Sequence, residues 1–514
     1  MKRYFLGIDI GTFESRGILI DESFRVAADA SVPHGMDNPQ PGWFEQEAET
    51  VWWGDLCKLC RTLIKQSGIR PEQIACVGTS ALGTDCLPVD EQCRPLRPAI
   101  LYGIDARASE EAAWLTEHYG QARVQELFGH PICSGDTATK ILWLRRHEPE
   151  IYAKTAYFLT GSSFLTARLT GKYVIDQSLA KGSFRPLYQA DGSVNEAECG
   201  LYCRPDQIAA CAWSTDIVGT VTPEAAAQTG LAAGTPVITG TGDSTAEAIS
   251  VGLVEPGTAF FQYGSSMFYY YCTDHFVGSY VSPQGNGALK GGKAFTVPGT
   301  YCLGDGTNAA GTLTRWVRDL LYSKELDAEK QGGENAYAVM AREAAAVPPG
   351  SDGLIMLPYI YGERSPLQDA EATGMLFGLK GTHGRAQINR AALEAVGYST
   401  YQHLLLFEEL GVPPRRIITA GGGTKNAAWM QIICDMAGMP LTIPEPFQCS
   451  SYGDAMLAAL GVGALESFAA LRAALPQGRI LQPDQKNHEF YQEHYPIFRD
   501  LYLENRDRMH RMQK

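Results

Sequence analysis

The feature that most constrains this chain is an apolar stretch that runs directly into a turn of glycine, hydroxyl and acidic residues. Residues 4–10 have the pattern of a buried strand, and residues 11–17, which begin with Gly11 and Thr12, separate them from a second apolar stretch at 18–20. Gly11 lets the turn bring backbone N–H groups close to an anion, and the Thr12 hydroxyl can donate as well. Asp9 is costly to bury unless it meets a cation or a donor, so it could hold a metal-bound water. The pattern favours a phosphate-binding β-hairpin, and an ordinary hairpin whose acid caps its own turn is the alternative.

Length and composition indicate a globular chain of two domains. The 514 residues exceed what one hydrophobic core usually supports, which predicts two domains of roughly 250 residues with a cleft between them. Apolar residues make up 45% and charged residues 19%, so we expect the chain to fold throughout. The 43 basic and 57 acidic residues give a net charge of −14, which argues against nucleic acid or an anionic membrane as a partner. The sequence has neither a secretory signal pattern nor a run of ~20 apolar residues, so we expect a cytoplasmic protein with reduced cysteines.

Strand-like and helical patterns alternate along the chain, which predicts an α/β architecture. Residues 237–239 form a predicted strand, residues 240–242 a tight turn, and Asp243 begins a predicted helix of small residues. The strand-and-turn pattern recurs at 258–266, and again at 416–426 with a glycine triplet. Each pattern is weak alone, because a glycine triplet is also typical of close helix–strand packing. Together, two phosphate hairpins on duplicated halves and a glycine-rich loop for the nucleoside predict a nucleotide site.

Longer motifs resemble the FGGY family of carbohydrate kinases, which belongs to the actin, hexokinase and heat-shock-chaperone fold superfamily. Residues 135–147, which include Lys140, resemble the first family signature, and residues 374–379 with 387–394 resemble the second. The stretch 362–366 resembles the family's Glu-Arg-Ser-Pro turn. The resemblance covers nearly the whole chain.

The resemblance implies an α/β fold of two ribonuclease-H-like domains around a deep interdomain cleft. It places the sugar and the first phosphate loop in an N-terminal domain, 1–250, and ATP in a C-terminal domain, 251–514. ATP and Mg²⁺ are the implied cofactors, and a small sugar or polyol is the implied partner. A homodimer formed through the second domain is compatible with the family.

The resemblance also implies roles for individual residues. Asp243 falls on the family's catalytic base, and Asp9 falls on the acid that organises magnesium. The implied nucleotide-binding residues are Thr12, Arg16, Ser265, Ser266, Gly311, Gly422, Gly423 and Asn426. These residue types suit phosphoryl transfer, which needs positioned phosphates, a cation and an acceptor for the alcohol proton. A helix N-terminus would keep Asp243 ionised, so we expect it to act through position more than through raised basicity. The alternatives are that Asp243 only caps its helix and that Arg16 only pairs with an acid at the base of the hairpin.

The sugar-side segments are similar to those of xylulokinases but depart from them. Residues 80–90 lie where D-xylulose kinases have a Ser-Gly-Gln-Met-His-Gly segment. Gly83 and Thr84 replace the Met and the His, and Asp85 adds an acid. Residues 101–107 resemble the Trp-x-Asp-x-Arg element of the same kinases.

From these segments we expect phosphorylation of a pentulose such as xylulose, or of a related polyol. Thr84, Asp85 and Asp105 would bind vicinal hydroxyls through paired hydrogen bonds, with Asp243 and Ser244 also in contact. A solvated turn acid is the alternative for Asp85. The alternative substrates are erythritol, glycerol, ribulose and gluconate, and the alternative function is a non-catalytic, actin-like ATP-binding protein. A dinucleotide-dependent oxidoreductase is disfavoured, because no Gly-x-Gly-x-x-Gly opens a helix after the first strand.

Overall fold

The computed structural model describes residues 2–445 and 449–513. The chain forms two compact units, each built from three chain segments. Unit 1 comprises Met1–Val254, Lys293–Tyr301 and Gln448–Leu475. Unit 2 comprises Glu255–Gly292, Cys302–Phe447 and Pro476–Lys514.

The described residues form both strands and helices throughout the chain. The strands are β1 (Tyr4–Ile10), β2 (Glu14–Asp21), β3 (Val26–Pro33), β4 (Glu45–Gln46), β5 (Ile74–Ala81), β6 (Leu87–Val89), β7 (Ala99–Ile100), β8 (Tyr157–Leu159), β9 (Val174–Asp176), β10 (Ala210–Ala212), β11 (Ile217–Thr220), β12 (Pro236–Ile238), β13 (Thr241–Gly242), β14 (Thr258–Tyr263), β15 (Met267–Thr273), β16 (Tyr280–Val281), β17 (Ala288–Leu289), β18 (Lys293–Ala294), β19 (Tyr301–Gly306), β20 (Ile355–Leu357), β21 (Met375–Phe377), β22 (Arg416–Ala420), β23 (Leu441–Ile443) and β24 (Arg479–Leu481). The helices are α1 (Gly54–Ser67), α2 (Ser109–Leu127), α3 (Thr137–His147), α4 (Pro149–Lys154), α5 (Gly161–Thr170), α6 (Gln177–Gly182), α7 (Glu196–Tyr202), α8 (Pro223–Thr229), α9 (Asp243–Ser250), α10 (Gly311–Leu321), α11 (Ser323–Lys330), α12 (Ala336–Ala345), α13 (Arg385–Glu409), α14 (Ala427–Ala437), α15 (Ser450–Gly461), α16 (Phe468–Ala474) and α17 (Gln485–Met512). Within residues 2–445 and 449–513, no helix has the length and apolar character that a membrane span requires.

The main sheet of unit 1 brings the carboxyl ends of three strands together. Its strand order is β11-β12-β5-β1-β2-β3, and β13 also pairs with β5. Strand β1 is antiparallel to β2 and parallel to β5, with Asp9 opposite Arg16 on one side and Ser80 on the other. Thr241 of β13 also lies opposite Ser80. Because the carboxyl ends of parallel strands meet at one edge of a sheet, Asp9, Ser80 and the start of α9 at Asp243 share that edge.

Helix α15 packs closely on this sheet, against β1, β2 and β5. A Cβ atom on Gly7 would lie 1.8 Å from the carbonyl oxygen of Ser451, and one on Gly78 would lie 2.4 Å from that of Asp454. Both strands therefore need glycine where the helix crosses them.

The main sheet of unit 2 repeats the hairpin-and-parallel-strand arrangement. Its strands follow the order β19-β15-β14-β22-β23-β24. Strand β14 is antiparallel to β15, with Tyr263 opposite Met267, and parallel to β22, with Gln262 opposite Ala420. The structure therefore has the second hairpin that the recurring sequence pattern predicts.

Each unit has its own hydrophobic core. Ile8, Leu59 and Val77 belong to one buried cluster in unit 1, whereas Phe261 and Ile417 belong to a different one in unit 2. Two cores fit a chain of this length, since a single core rarely grows beyond ~250–300 residues.

Candidate active site

Asp243 is placed by a turn that only glycine can form. Strand β12 ends at Ile238, and Gly240 has a φ of 77°, in the left-handed region that glycine favours. A Cβ atom on Gly240 would lie 2.2 Å from the carbonyl oxygen of Thr79. The chain then enters α9, whose first residue is Asp243, and the Ser244 backbone N–H donates to Asp243 Oδ1 over 2.6 Å.

The environment makes Asp243 more basic than an ordinary aspartate. Burial raises the pKa of its carboxyl group, and the hydrogen bond from Ser244 and the positive charge of Lys293 offset this only in part. We expected Asp243 to act through position more than through raised basicity, whereas burial raises its pKa. The change favours proton acceptance by Asp243. Its role as the base stays a prediction.

Asp9 belongs to a chain of hydrogen bonds that includes a residue the sequence analysis missed. The Ser80 hydroxyl lies 2.9 Å from Asp9 Oδ1 and 2.7 Å from Asp454 Oδ2. A hydroxyl can donate only one proton, so one of the two carboxyl groups must donate to it. Burial and the negative charge of Asp9 raise the pKa of Asp454 well above its usual range. Burial and the charge of Asp243 also raise the pKa of Asp9, so Ser80 joins two carboxyl groups of raised pKa. No motif marked Asp454, which is contributed by α15.

In the described part of the chain, Asp9 is the main carboxylate that could bind a magnesium ion. Within residues 2–445 and 449–513 there is no cluster of three or more histidine, cysteine or acidic side chains that could hold a metal. Magnesium is commonly bound by one or two carboxylates, with phosphate oxygens and waters supplying the remaining ligands. Asp9 is partly exposed, and burial together with the charge of Asp243 raises its pKa. A cation beside Asp9 would stabilise its ionised form, so the position fits the ion.

Asp85 and Lys140 lie fully buried in the predicted sugar-side segment, and each is 0% exposed. The Lys140 ammonium group donates to the carbonyl oxygens of Thr84 and Gly135, over 2.6 Å and 3.0 Å. Neither carboxylate oxygen of Asp85 has a hydrogen-bond partner of good geometry among the described residues, although the backbone N–H of Tyr102 lies close enough to lower its pKa. The alternative that Asp85 is a solvated turn acid is therefore wrong. Burial and the charge of Asp243 raise the pKa of Asp85, while Lys140 opposes the shift.

The Asp105 carboxylate already forms hydrogen bonds with nearby groups of the protein. Its carboxylate accepts from the backbone N–H of Phe44 over 2.7 Å and from Arg107 Nη2 over 2.8 Å, and the whole group is buried. Its predicted contact with a sugar would have to compete with these bonds.

The predicted phosphate hairpin of unit 1 touches the sugar-side segment. The Thr12 and Tyr102 hydroxyl oxygens are 3.1 Å apart. Arg16, by contrast, lies 3.5 Å from Glu14, so the ion pair proposed as its alternative role is present.

Unit 2 contains a cavity of about 530 Å³ at its own hairpin turn. The turn is bound to the start of α10, since the Gly311 N–H donates to Gly264 and the Ala310 N–H donates to Ser265. A Cβ atom on Gly311 would lie 2.5 Å from the Gly264 carbonyl oxygen. At the far wall, Asn426 Oδ1 caps α14 by accepting from the Trp429 N–H over 3.0 Å.

Most of the predicted nucleotide residues converge on this cavity. Those that line it are Ser265, Gly311, Gly422, Gly423 and Asn426. Ser266 lies in the same turn but does not line it, and Thr12 and Arg16 belong to unit 1. The prediction missed further lining residues, namely Arg315, Asn335, Tyr337, Asn389 and Trp429.

Two α/β units, each with a hairpin and a parallel strand, define an actin- and hexokinase-like fold. The model of the FGGY carbohydrate kinase N-terminal domain matches residues 4–250, and that of the C-terminal domain matches residues 263–462. The chain therefore belongs to the FGGY family of carbohydrate kinases and is a phosphotransferase that acts on sugars. The fold, family and enzyme class predicted from the sequence are confirmed.

Individual relatives differ in their named substrates. The chain is 29% identical to the xylulose kinase of Escherichia coli (strain K12) over 501 residues, covering 97% of this chain and 98% of that protein. It is 28% identical to the gluconokinase of Bacillus subtilis (strain 168) over 506 residues, covering 98% and 96%. Its fold matches the crystal structure of xylulose kinase from Rhodospirillum rubrum with a TM-score of 0.88 and 28% identity, covering 99% of this chain and 100% of that one.

Proposed function

We propose that the protein transfers the γ-phosphate of ATP to a hydroxyl group of a small neutral polyol, with a pentulose such as xylulose as the favoured substrate. The observation that carries this proposal is the pair of unpartnered, buried oxygens on Asp85. A buried carboxylate without donors costs several kcal/mol, at least ~1–3 kcal/mol for each lost hydrogen bond. Vicinal hydroxyl groups would supply the missing donors. Asp85 also lies near enough to Asp243 for that charge to raise its pKa.

The charges of unit 1 favour a neutral substrate over a sugar acid. Asp9, Asp85 and Asp243 are linked electrostatically, since the charge of Asp243 raises the pKa of the other two. Lys140 already uses two of its three N–H bonds on carbonyl oxygens. A substrate carboxylate would add a further acidic group beside these three with little cationic compensation. Gluconate is therefore the less favoured alternative, although a gluconokinase is among the relatives.

We further propose that the nucleotide occupies the cavity of unit 2. Its volume suits a nucleoside, since small-molecule sites commonly measure ~300–1,000 Å³. The Ser265 and Ser266 hydroxyls of the hairpin turn would donate to phosphates, because the backbone N–H groups of Gly264 and Gly311 are already bonded within the protein. Magnesium at Asp9 would neutralise charge that develops on the transferring phosphate.

In the proposed reaction, Asp243 acts as general base. The substrate oxygen attacks the γ-phosphorus in line, the new O–P bond forms, and the bond from the γ-phosphorus to the bridging oxygen breaks. ADP leaves, and the proton of the attacking hydroxyl passes to the Asp243 carboxylate. The raised pKa of Asp243 supports this role, because it makes the carboxylate a better acceptor.

The test is an ADP-release assay with MgATP across D-xylulose, L-xylulose, the ribuloses, glycerol, erythritol and gluconate. We expect saturable turnover on a neutral pentulose, a loss of about 10²–10⁴-fold in kcat for Asp243→Ala, and a raised KM for Asp85→Asn. Turnover on gluconate alone would overturn the neutral-substrate proposal. If the protein binds ADP but releases none with any of these substrates, the result would favour the non-catalytic alternative.

A further inference from the structure

Asp176 is a buried acid that the proposed reaction does not use. It ends β9, directly before α6, and is 2% exposed. Its Oδ2 atom accepts from the Ser178 hydroxyl over 2.6 Å, from the Ser178 backbone N–H over 3.2 Å, and from the Thr241 hydroxyl over 2.9 Å. Burial raises the pKa of Asp176 to about 6, and these donors oppose the rise. At neutral pH the carboxylate is therefore largely ionised and accepts all three bonds.

The start of helix α6 does not by itself require an acid at this position. Threonine is sufficient elsewhere in unit 1, since Thr160 caps α5 and Thr222 caps α8. A buried carboxylate costs more than a buried hydroxyl, because its charge loses solvent. The bond that helix capping does not explain is the one from Thr241, which belongs to a different element, β13. The contact with Thr241 therefore points to a second role for Asp176.

Thr241 anchors the short segment that precedes Asp243. It lies between Gly240 and Gly242, so it carries the one side chain of residues 240–242. Its backbone pairs with β5, and its fully buried hydroxyl donates to Asp176. Helix α9 begins with Asp243, directly after Gly242. A displacement of Thr241 would therefore pass to Asp243 through a single residue that has no side chain.

The helix that follows Asp176 also contacts the cation that acts on Asp243. Helix α6 packs against β13 and against β18, whose first residue is Lys293. A Cβ atom on Gly182, the last residue of α6, would lie 3.1 Å from Lys293 Cδ. The positive charge of Lys293 opposes the rise in the pKa of Asp243. Helix α6 therefore contacts both the strand that precedes Asp243 and the lysine that acts on its charge.

We propose that Asp176 is a positioning residue for Asp243. Its carboxylate holds the Thr241 hydroxyl, Thr241 fixes β13, and β13 sets the place from which the Asp243 carboxylate reaches the substrate hydroxyl. This inference rests on the proposed function, in which Asp243 is the general base. Proton transfer depends on the distance between the base and the hydroxyl, and a displacement of about 1 Å can lower a rate by about 10²-fold.

The test removes the hydrogen bond from Thr241 while keeping the size of the side chain. In Thr241→Val, kcat should fall by about 10–100-fold. The KM for MgATP should stay within about twofold, because the proposed nucleotide site lies in unit 2. Thr241→Ser keeps the hydroxyl and should restore kcat to within about threefold of the unchanged protein. If the valine methyl group is not tolerated beside the carboxylate, Thr241→Ala makes the same comparison.

A second measurement reports on the segment without requiring turnover. Hydrogen exchange of the full chain, followed by mass spectrometry, measures the opening of the peptide that contains the Ser244 N–H. This N–H donates to Asp243 Oδ1 and marks the start of α9. In Thr241→Val its exchange should be faster by at least about tenfold.

The matched control is Ser178→Ala, which removes a different hydroxyl from the same carboxylate. Because the bond from Thr241 remains, kcat and the exchange at Ser244 should equal those of the unchanged protein. Asp176→Asn keeps an oxygen that can accept from Thr241, so it should also keep kcat within about threefold. Asp176→Ala should lower kcat as Thr241→Val does, and the two changes combined should lower it no further, because both remove one interaction.

Two kinetic results would overturn the inference and leave Asp243 as the proposed base. One is an equal loss of kcat in Ser178→Ala and Thr241→Val, which would give the carboxylate a structural role only. The other is an unchanged kcat in a folded Thr241→Val protein. If the unchanged protein phosphorylates no substrate, the proposed function fails, and exchange at Ser244 decides the inference separately. Faster exchange in Thr241→Val would support the placement of Asp243 by Asp176, and equal exchange would overturn it.

Discussion

Asp243 is the proposed general base, so its environment bears directly on the proposed reaction. Burial raises its pKa, and the charge of Lys293 partly offsets that rise. A general base works only when it is ionised, so in the proposed reaction we expect activity to fall as the pH drops through the pKa of Asp243. The raised pKa moves this acid limb to higher pH than an ordinary aspartate would give.

Removal of the Lys293 charge should move the acid limb further. In Lys293→Met the pKa of Asp243 should rise, so the decline of kcat/KM should begin at higher pH. Because solvent partly screens the interaction between Lys293 and Asp243, the shift should be less than about one pH unit. The control is Lys172→Met, which removes an exposed lysine of unit 1 that does not act on Asp243. A profile of kcat/KM against pH checks the shift, and equal profiles for the two variants would contradict it.

Replacing Asp454 with the isosteric asparagine should leave activity nearly unchanged. An asparagine side chain can donate to Ser80 or accept from it, so Asp454→Asn should keep the bridge from Ser80 to Asp9 and near-normal activity. Asp454→Ala leaves Ser80 without that hydrogen-bond partner, and should lose about 1–3 kcal/mol of stability and raise the Mg²⁺ concentration needed for half-maximal rate. Urea unfolding and magnesium titration measure these effects. A loss of activity in Asp454→Asn as large as that in Asp454→Ala would show that the carboxyl group has another role.

At the scale of elements, the turn before α9 is the most sensitive to change. Gly240→Ala combines an unfavourable φ with a Cβ atom that would lie 2.2 Å from the Thr79 carbonyl oxygen. Gly234 has a similar φ of 89° but open space around its Cβ position. We expect Gly234→Ala to cost about 1 kcal/mol from backbone strain alone. Gly240→Ala should cost more, and should also lower kcat because α9 carries Asp243. Thermal unfolding and kcat should be measured for both variants. Similar unfolding temperatures and similar kcat values in Gly240→Ala and Gly234→Ala would count against the steric argument.

The elements closest to the candidate site could be predicted from local sequence. The predicted strand at 4–10 is β1, and the predicted helix start at Asp243 is the start of α9. Apolar runs bounded by glycine and an acid are local signals, so a single sequence reveals them.

Burial and distant partners could not be predicted in the same way. Asp454 reaches Ser80 from a chain segment that follows most of unit 2. Asp105 is bound by Arg107, two residues away, although the resemblance of this segment to the Trp-x-Asp-x-Arg element led us to expect a sugar contact. The loss of solvent around Asp85 depends on packing by several elements, which no local pattern contains. The division of function between 1–250 and 251–514 stays a prediction.

At the scale of the whole molecule, the two hydrophobic cores predict two unfolding transitions. If the nucleotide binds in unit 2, ADP should stabilise the transition of that unit and leave the other near its original temperature. At a concentration 100 times Kd, the stabilisation should be about 2.7 kcal/mol. Differential scanning calorimetry with and without ADP tests this. A single transition that moves as a whole would show instead that the units unfold together.

The order in which the segments of unit 1 occur has a consequence for biosynthesis. Strands β1 and β5 leave the ribosome early, whereas α15, which packs on both, is translated only after most of unit 2. The nascent chain must therefore carry an incomplete sheet, with an uncovered apolar face, for most of its synthesis. We expect chains that stall before α15 to depend on chaperones and to be degraded readily, even though they already contain Asp9, Asp85 and Asp243.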